Sequence, residues 1–122
     1  MVKKLNHDDV KKILGTIIEN FKLNEVKINN LNVFPVPDGD TGTNMYLTLQ
    51  AAWQEIADNN ELTISAVSQA LAHGALMGAR GNSGVILSQL FRGLAQGFDG
   101  VERVDPQTLA RAMQQASATA YK

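Results

Sequence analysis

Two carboxylates, Asp38 and Asp40, stand on alternate residues of the stretch Pro35-Val36-Pro37-Asp38-Gly39-Asp40-Thr41-Gly42-Thr43-Asn44-Met45. In an extended segment alternate side chains share a face, so the two carboxylates point the same way. Like charges held that close repel unless a cation lies between or beside them. Magnesium takes one or two carboxylates, with waters and substrate phosphates completing its shell. A second glycine-rich stretch, Gly78-Ala79-Arg80-Gly81-Asn82-Ser83-Gly84, also leads into an apolar run. Glycine-opened helix starts offer backbone N–H groups to phosphate oxygens, and the Ser83 hydroxyl adds a donor. Together the two stretches predict a metal-bridged phosphate site. Alone, each has a plainer reading: an Asp-Gly turn with solvated carboxylates, and a capped helix start after a tight turn.

Two familiar loops are excluded. An EF-hand register starting at Asp38 would put Thr43 where glycine is required and Leu49 where a bidentate glutamate is required. A P-loop needs Gly-Lys-Ser/Thr, and no lysine lies between Lys27 and Lys122. A nucleotide site here must therefore offset phosphate charge with metal ions, aided at most by Arg80. His7 sits in a charged first turn and reads as solvated, and His73 lies among small and apolar residues and reads as packed or partly exposed. Neither joins a Ser/His/Asp arrangement or a metal cluster.

Helical periodicity must position these loops. Val10, Ile13, Leu14, Ile17, Ile18 and Phe21 form one apolar stripe, with Asn6 as its cap and Asp8 and Asp9 in the first turn. The pattern weakens near Leu23-Asn24, and Val26, Ile28 and Leu31 read as a second piece. Pro35 and Pro37 exclude helix over 32–42, where Asn32-Val33-Phe34 is the one β-like scrap. A second helix is predicted over 43–58, ending at Asn59-Asn60, with Met45, Leu49, Ala52, Trp53 and Ile56 inside. Thr63 caps a third running to Gly78, whose face of Ile64, Val67, Leu71, Gly74, Ala75 and Gly78 admits a close neighbour. Met77, like Trp53 and Met45, reads as core. Ser83 is predicted to cap a fourth, with Ile86, Leu87, Leu90, Phe91 and Leu94 inside and a break at Gly97–Gly100. Asp105-Pro106 opens a fifth with Leu109, Ala112, Met113, Ala116 and Ala120.

The chain has 122 residues, 44% hydrophobic and 19% charged, which suits one domain over 1–122 with a real core. A formal net charge of −1 lacks the footprint of a nucleic-acid binder. With no cysteine, disulfides and thiolate metal sites are impossible. No run is long and apolar enough to span a bilayer and no apolar region follows the basic first residues, so the cytoplasm is the expected compartment. The fifth helix is still running at Lys122, which predicts that the sequence is part of something longer.

The run from Asn32 to Met45 and the run from Gly78 to Gln89 together resemble the N-terminal nucleotide-binding domain of bacterial fatty acid kinase. That domain shares a superfamily with the ATP-binding L subunit of dihydroxyacetone kinase. The resemblance runs from the first helix to Lys122 and implies an all-α antiparallel helical barrel or bundle, incomplete here with about five helices. It implies ATP and two magnesium ions as ligands, with Asp38 and Asp40 as catalytic residues bridging metal to phosphate. Thr43, Asn44, Gly81, Asn82, Ser83 and Gly84 fall where the family cradles phosphate oxygens. Asn32 falls, one residue offset, near a third metal-binding carboxylate of the dihydroxyacetone kinase branch, where an amide is a weaker ligand. Thr41 stands where that branch has histidine. Both departures favour the fatty acid kinase branch.

The activity implied is phosphoryl transfer from Mg-ATP to a fatty acid carboxylate, presented by a separate fatty-acid-binding protein. Two alternatives stand beside it. One is an L-subunit-type kinase with a hydroxyl acceptor. The other is a fragment that binds nucleotide or self-associates without catalysis, its Gly74/Ala75/Gly78 face covered by a second copy in a homodimer.

Overall fold

A computed structural model of the chain describes residues 5–31, 39–57 and 63–121. Five helices follow one another: α1 (His7–Leu31), α2 (Thr41–Ala57), α3 (Ile64–Gly78), α4 (Gly81–Gly97) and α5 (Pro106–Ala120). No strand occurs among the described residues; the single β-type pairing is an isolated antiparallel bridge between Leu5 and Val104. The expected all-α bundle of about five helices is therefore the observed class.

Local chemistry explains most of the boundaries. Asn6 and Asp9 cap α1 reciprocally: the Asn6 side chain accepts from the Asp9 N–H at 3.0 Å, and the Asp9 carboxylate accepts from the Asn6 N–H at 3.1 Å. Thr63 accepts from the Ala66 N–H at the start of α3, and Asp105 accepts from the Thr108 N–H at the start of α5 with Pro106 behind it. The weakening of pattern near Leu23 does not break α1, which runs unbroken for 25 residues. Its second half contains neither glycine nor proline, so helix persists although Leu23, Val26 and Leu31 stay exposed. The Asn59-Asn60 stop and the Asn32–Phe34 scrap lie outside the described residues.

Packing fixes the directions. Gly74 and Gly78 of α3 sit directly on Ala51 and Ala52 of α2; a Cβ at Gly74 would come within 2.8 Å of the Ala51 carbonyl. The close neighbour expected for this small-residue face is thus α2 of the same chain. Gly74 and Ala75 are already buried inside the monomer, so α2 covers most of the face that a second copy was expected to cover. Gly93 and Gly97 let α4 lie equally close to Ala116 and Ala112 of α5. Later residues of α4 thus meet earlier residues of α5, and the two run antiparallel. By contrast Gly81 meets Asn44 and Gly84 meets Thr48, so α2 and α4 run parallel. Consequently α2 and α4 begin at one end of the array, while α1, α3 and α5 begin at the other.

The core forms two clusters. Leu14, Ala52, Ile56, Val67, Leu71 and Ala75 fill the middle, flanked by Val10, Trp53 and Phe91. Ile64, Phe98, Val104 and Ala112 gather with Leu5, Leu94 and Val101 where α1, α3 and α5 begin. Burial of each large aliphatic side chain contributes about 1.5–3 kcal/mol, more than any single cap. The fifth helix buries Thr108, Ala112, Ala116 and Thr119, a face rotated from the predicted one, and Leu109 and Met113 are exposed. Close contact with α4 selects small residues there, because Gly93 and Gly97 bring the two backbones together. Ile86 and Met77, expected inside, are exposed for the same reason: α2 meets Gly84 of α4, and Gly74 and Gly78 of α3, instead.

Candidate functional site

Residues from both glycine-rich stretches meet at the shared start of α2 and α4. Asp40 occupies the N-cap position of α2, its carbonyl accepting the Asn44 N–H at 2.8 Å. Arg80 occupies the same position on α4, its carbonyl accepting the Gly84 N–H at 3.1 Å. Two contacts stitch the starts together. The Ser83 hydroxyl donates to the Thr41 carbonyl at 3.3 Å, and the Arg80 N–H donates to the Thr48 hydroxyl oxygen at 3.2 Å. Thr48 is fully buried and donates its own proton to the Asn44 carbonyl at 2.8 Å. This one hydroxyl therefore links the first turn of α2 to the entry of α4.

Gly81 sets the approach. Its φ of +66° lies in the left-handed region, and a side chain there would overlap the Asn44 amide. The turn brings the chain into α4 two residues before Ser83. Ser83 is consequently not the cap that its type suggested, and Arg80 makes no side-chain capping bond. The first turn of α4 thus keeps N–H groups that have no intrahelical partner. Each helix carries roughly half a positive charge at its N-terminus, and parallel neighbours place two such partial charges side by side. An anion is the natural counterpart.

The start of α2 is held from α1. Asn29 accepts from the Thr43 N–H at 3.0 Å and donates from its amide to the Thr43 hydroxyl oxygen at 2.9 Å. Gly42 makes room for this, since a Cβ there would lie 2.5 Å from the Glu25 backbone carbonyl oxygen and 3.0 Å from the Asn29 side-chain oxygen. Asn29 and Thr48 were not singled out by sequence. Thr48 stands four residues after Asn44, the spacing at which a hydroxyl meets a carbonyl of its own helix, but only the tertiary fold shows the second partner.

Of the predicted site residues, Asp40, Thr43, Asn44, Gly81, Asn82, Ser83 and Gly84 are brought to this one end. Asp38 and Asn32 lie outside the described residues. Among the described residues no three His, Asp or Glu side chains cluster as a ready-made metal site. An exposed carboxylate at Asp40 beside two helix starts fits a cation whose remaining ligands come from phosphate and water. His73 is exposed and lies 3.2 Å from Glu55, while His7 is more covered than its setting suggested and lies 3.5 Å from Asp8. Among the described residues a recess of about 360 Å³ between α3 and α4 is lined by Gln69, Ala72, Arg92, Ala95, Gln96 and Asp99. No helix among the described residues is long and apolar enough to cross a membrane.

Comparison with known proteins adds two findings. A family model described as the DAK2 domain matches residues 35–122. Uncharacterized proteins of Staphylococcus epidermidis and Staphylococcus haemolyticus are each 42% identical over 122 residues, and one of Staphylococcus aureus is 41% identical. Each match spans 100% of this chain and 22% of the relative, so the chain covers about a fifth of the curated relatives it matches.

Proposed function

The chain belongs to the DAK2-domain family, and from that premise we propose that it is the nucleotide-binding domain of a kinase that phosphorylates a fatty acid carboxylate. The observation that supports this reading best is the parallel pairing of α2 and α4, with an uncapped start on α4 and Asp40 at the cap of α2. That end is suited to the polyphosphate of ATP. Asn44 and residues 81–84 hold its oxygens, and Asp38 with Asp40, and more weakly Asn32, hold magnesium. Magnesium, when bound, supplies charge neutralisation between two anions.

In the reaction a carboxylate oxygen of the acyl chain forms a bond to the γ-phosphorus, and the bond from that phosphorus to the ADP oxygen breaks. The products are an acyl phosphate and ADP. The acceptor is already ionised at neutral pH, so no general base is needed. The protein's task is alignment and electrostatic stabilisation. A separate fatty-acid-binding protein presents the acyl group at this end, and the reaction takes place in the cytoplasm.

Calorimetric titration of the chain with ATP, with and without magnesium, tests the site. Magnesium-dependent binding is expected, and Asp38→Ala and Asp40→Ala should each remove it while leaving the helical circular dichroism intact. Equal binding by both variants would overturn the metal role. Turnover by the full-length protein with an acylated carrier, but not with dihydroxyacetone, is expected. The reverse preference would assign the hydroxyl-acceptor branch, and binding without turnover on either would leave a binding module.

A further inference from the structure

Asn29 holds both the N–H and the hydroxyl oxygen of Thr43. The backbone N–H can only donate, so the Asn29 oxygen must face it, and the Asn29 NH₂ must therefore face the Thr43 hydroxyl. This fixes the polarity of that hydroxyl: one lone pair is taken, and the proton is left to donate. Among the described residues nothing accepts that proton, since the contacts of Thr43 are those two and its α2 ladder. Both side chains are half-buried where α1 ends and α2 begins, one residue from the Gly42 contact that lets α1 come so near.

We infer that Asn29 is a positioning residue that sets the Thr43 hydroxyl as an obligate donor to a phosphate oxygen. This rests on the phosphate reading of that end. The amide does two jobs that no other side chain of similar size does together. Its oxygen removes an N–H from the start of α2, so that the hydroxyl and not the backbone presents the donor there. Its nitrogen forbids the hydroxyl from turning its proton back to α1. Aspartate keeps the first job and reverses the second: a carboxylate accepts the hydroxyl proton and withdraws it from the ligand.

The test is a double-mutant cycle on the chain, read as the dissociation constant of Mg-ATP by calorimetry, with thermal unfolding followed in parallel. A hydrogen bond to a charged group is worth roughly tenfold or more in affinity, so Thr43→Val should weaken binding about tenfold, and Thr43→Ser should restore it to within about twofold. Asn29→Asp should weaken binding about tenfold in the wild-type background and far less in the Thr43→Val background. Wild-type affinity in Thr43→Val would overturn the assignment. So would an Asn29→Asp effect of equal size in both backgrounds, since that would be a simple charge effect. Absence of Mg-ATP binding by the wild-type chain would instead overturn the phosphate reading itself, and this assignment with it.

Discussion

The two ends of the helical array begin their helices by opposite means. Where α1, α3 and α5 start, each first turn is closed by a side chain of its own segment: Asn6, Thr63 and Asp105. Behind those caps sit Ile64, Phe98, Val104 and Ala112, almost wholly buried. Where α2 and α4 start, the caps are withheld or borrowed. Arg80 makes none, and Thr43 is met by Asn29 from another helix. Capping is worth about 1 kcal/mol per helix, and Ser83 stood ready in sequence to supply it. Its absence from the α4 cap leaves N–H groups for a ligand. One end closes its helix starts with its own side chains, and the other leaves them open.

The largest test of that contrast is at the stable end. Ile64→Ala should cost about 2–5 kcal/mol of unfolding free energy, because Ile64 is fully buried beneath Phe98 and Val104. Urea denaturation measures it. The affinity of the folded fraction for Mg-ATP should not change. Should the variant fail to fold, Ile64→Val, costing about 0.5–1.5 kcal/mol, carries the same comparison. An affinity that falls in step with stability would mean that the two ends are not separable.

At the binding end Gly81→Ala should cost roughly 1–2 kcal/mol in stability, the usual penalty for a Cβ at positive φ. The new methyl would also push against the Asn44 side chain. A loss of Mg-ATP affinity beyond tenfold is expected, out of proportion to the stability change. Asp105→Ala should show the reverse pattern. Removing the α5 cap costs about 1 kcal/mol, read as a lower urea midpoint, with unaltered nucleotide affinity.

The two ends were also unequally legible in the sequence. Thr63, Asp105-Pro106 and Asn6 are local signals, and each helix they open begins where they say. Which face each helix buries was less legible. Leu109 and Met113 are the larger apolar residues on α5, yet Ala112, Ala116 and Thr119 are buried, because Gly93 and Gly97 draw α4 against that side. Spacing within one helix cannot report a glycine on another. The site shows the same limit. Both glycine stretches were readable as helix starts, but that they adjoin follows from α2 and α4 running parallel. Asn29 and Thr48, which secure the joint, carry no local pattern at all.

The smallest predicted effect is the most direct trial of the withheld cap. Arg80→Ala and Arg80→Ser remove the same guanidinium, so the long-range charge change is common to both. Only serine adds an oxygen at the N-cap, where φ −128° and ψ 129° already suit a capping residue. Serine should therefore satisfy an N–H in the first turn of α4 and make the chain about 0.5 kcal/mol more stable than the alanine variant, the low end for a cap. The same N–H is then no longer free for a phosphate oxygen. A hydrogen bond worth about 1 kcal/mol corresponds to about fivefold, so Arg80→Ser should bind Mg-ATP up to about fivefold more weakly than Arg80→Ala. Stability and affinity move in opposite directions only if the bare helix start is itself the binding element. If serine raised both together, the uncapped start of α4 would have no part in holding the ligand, and the contrast between the two ends would reduce to packing.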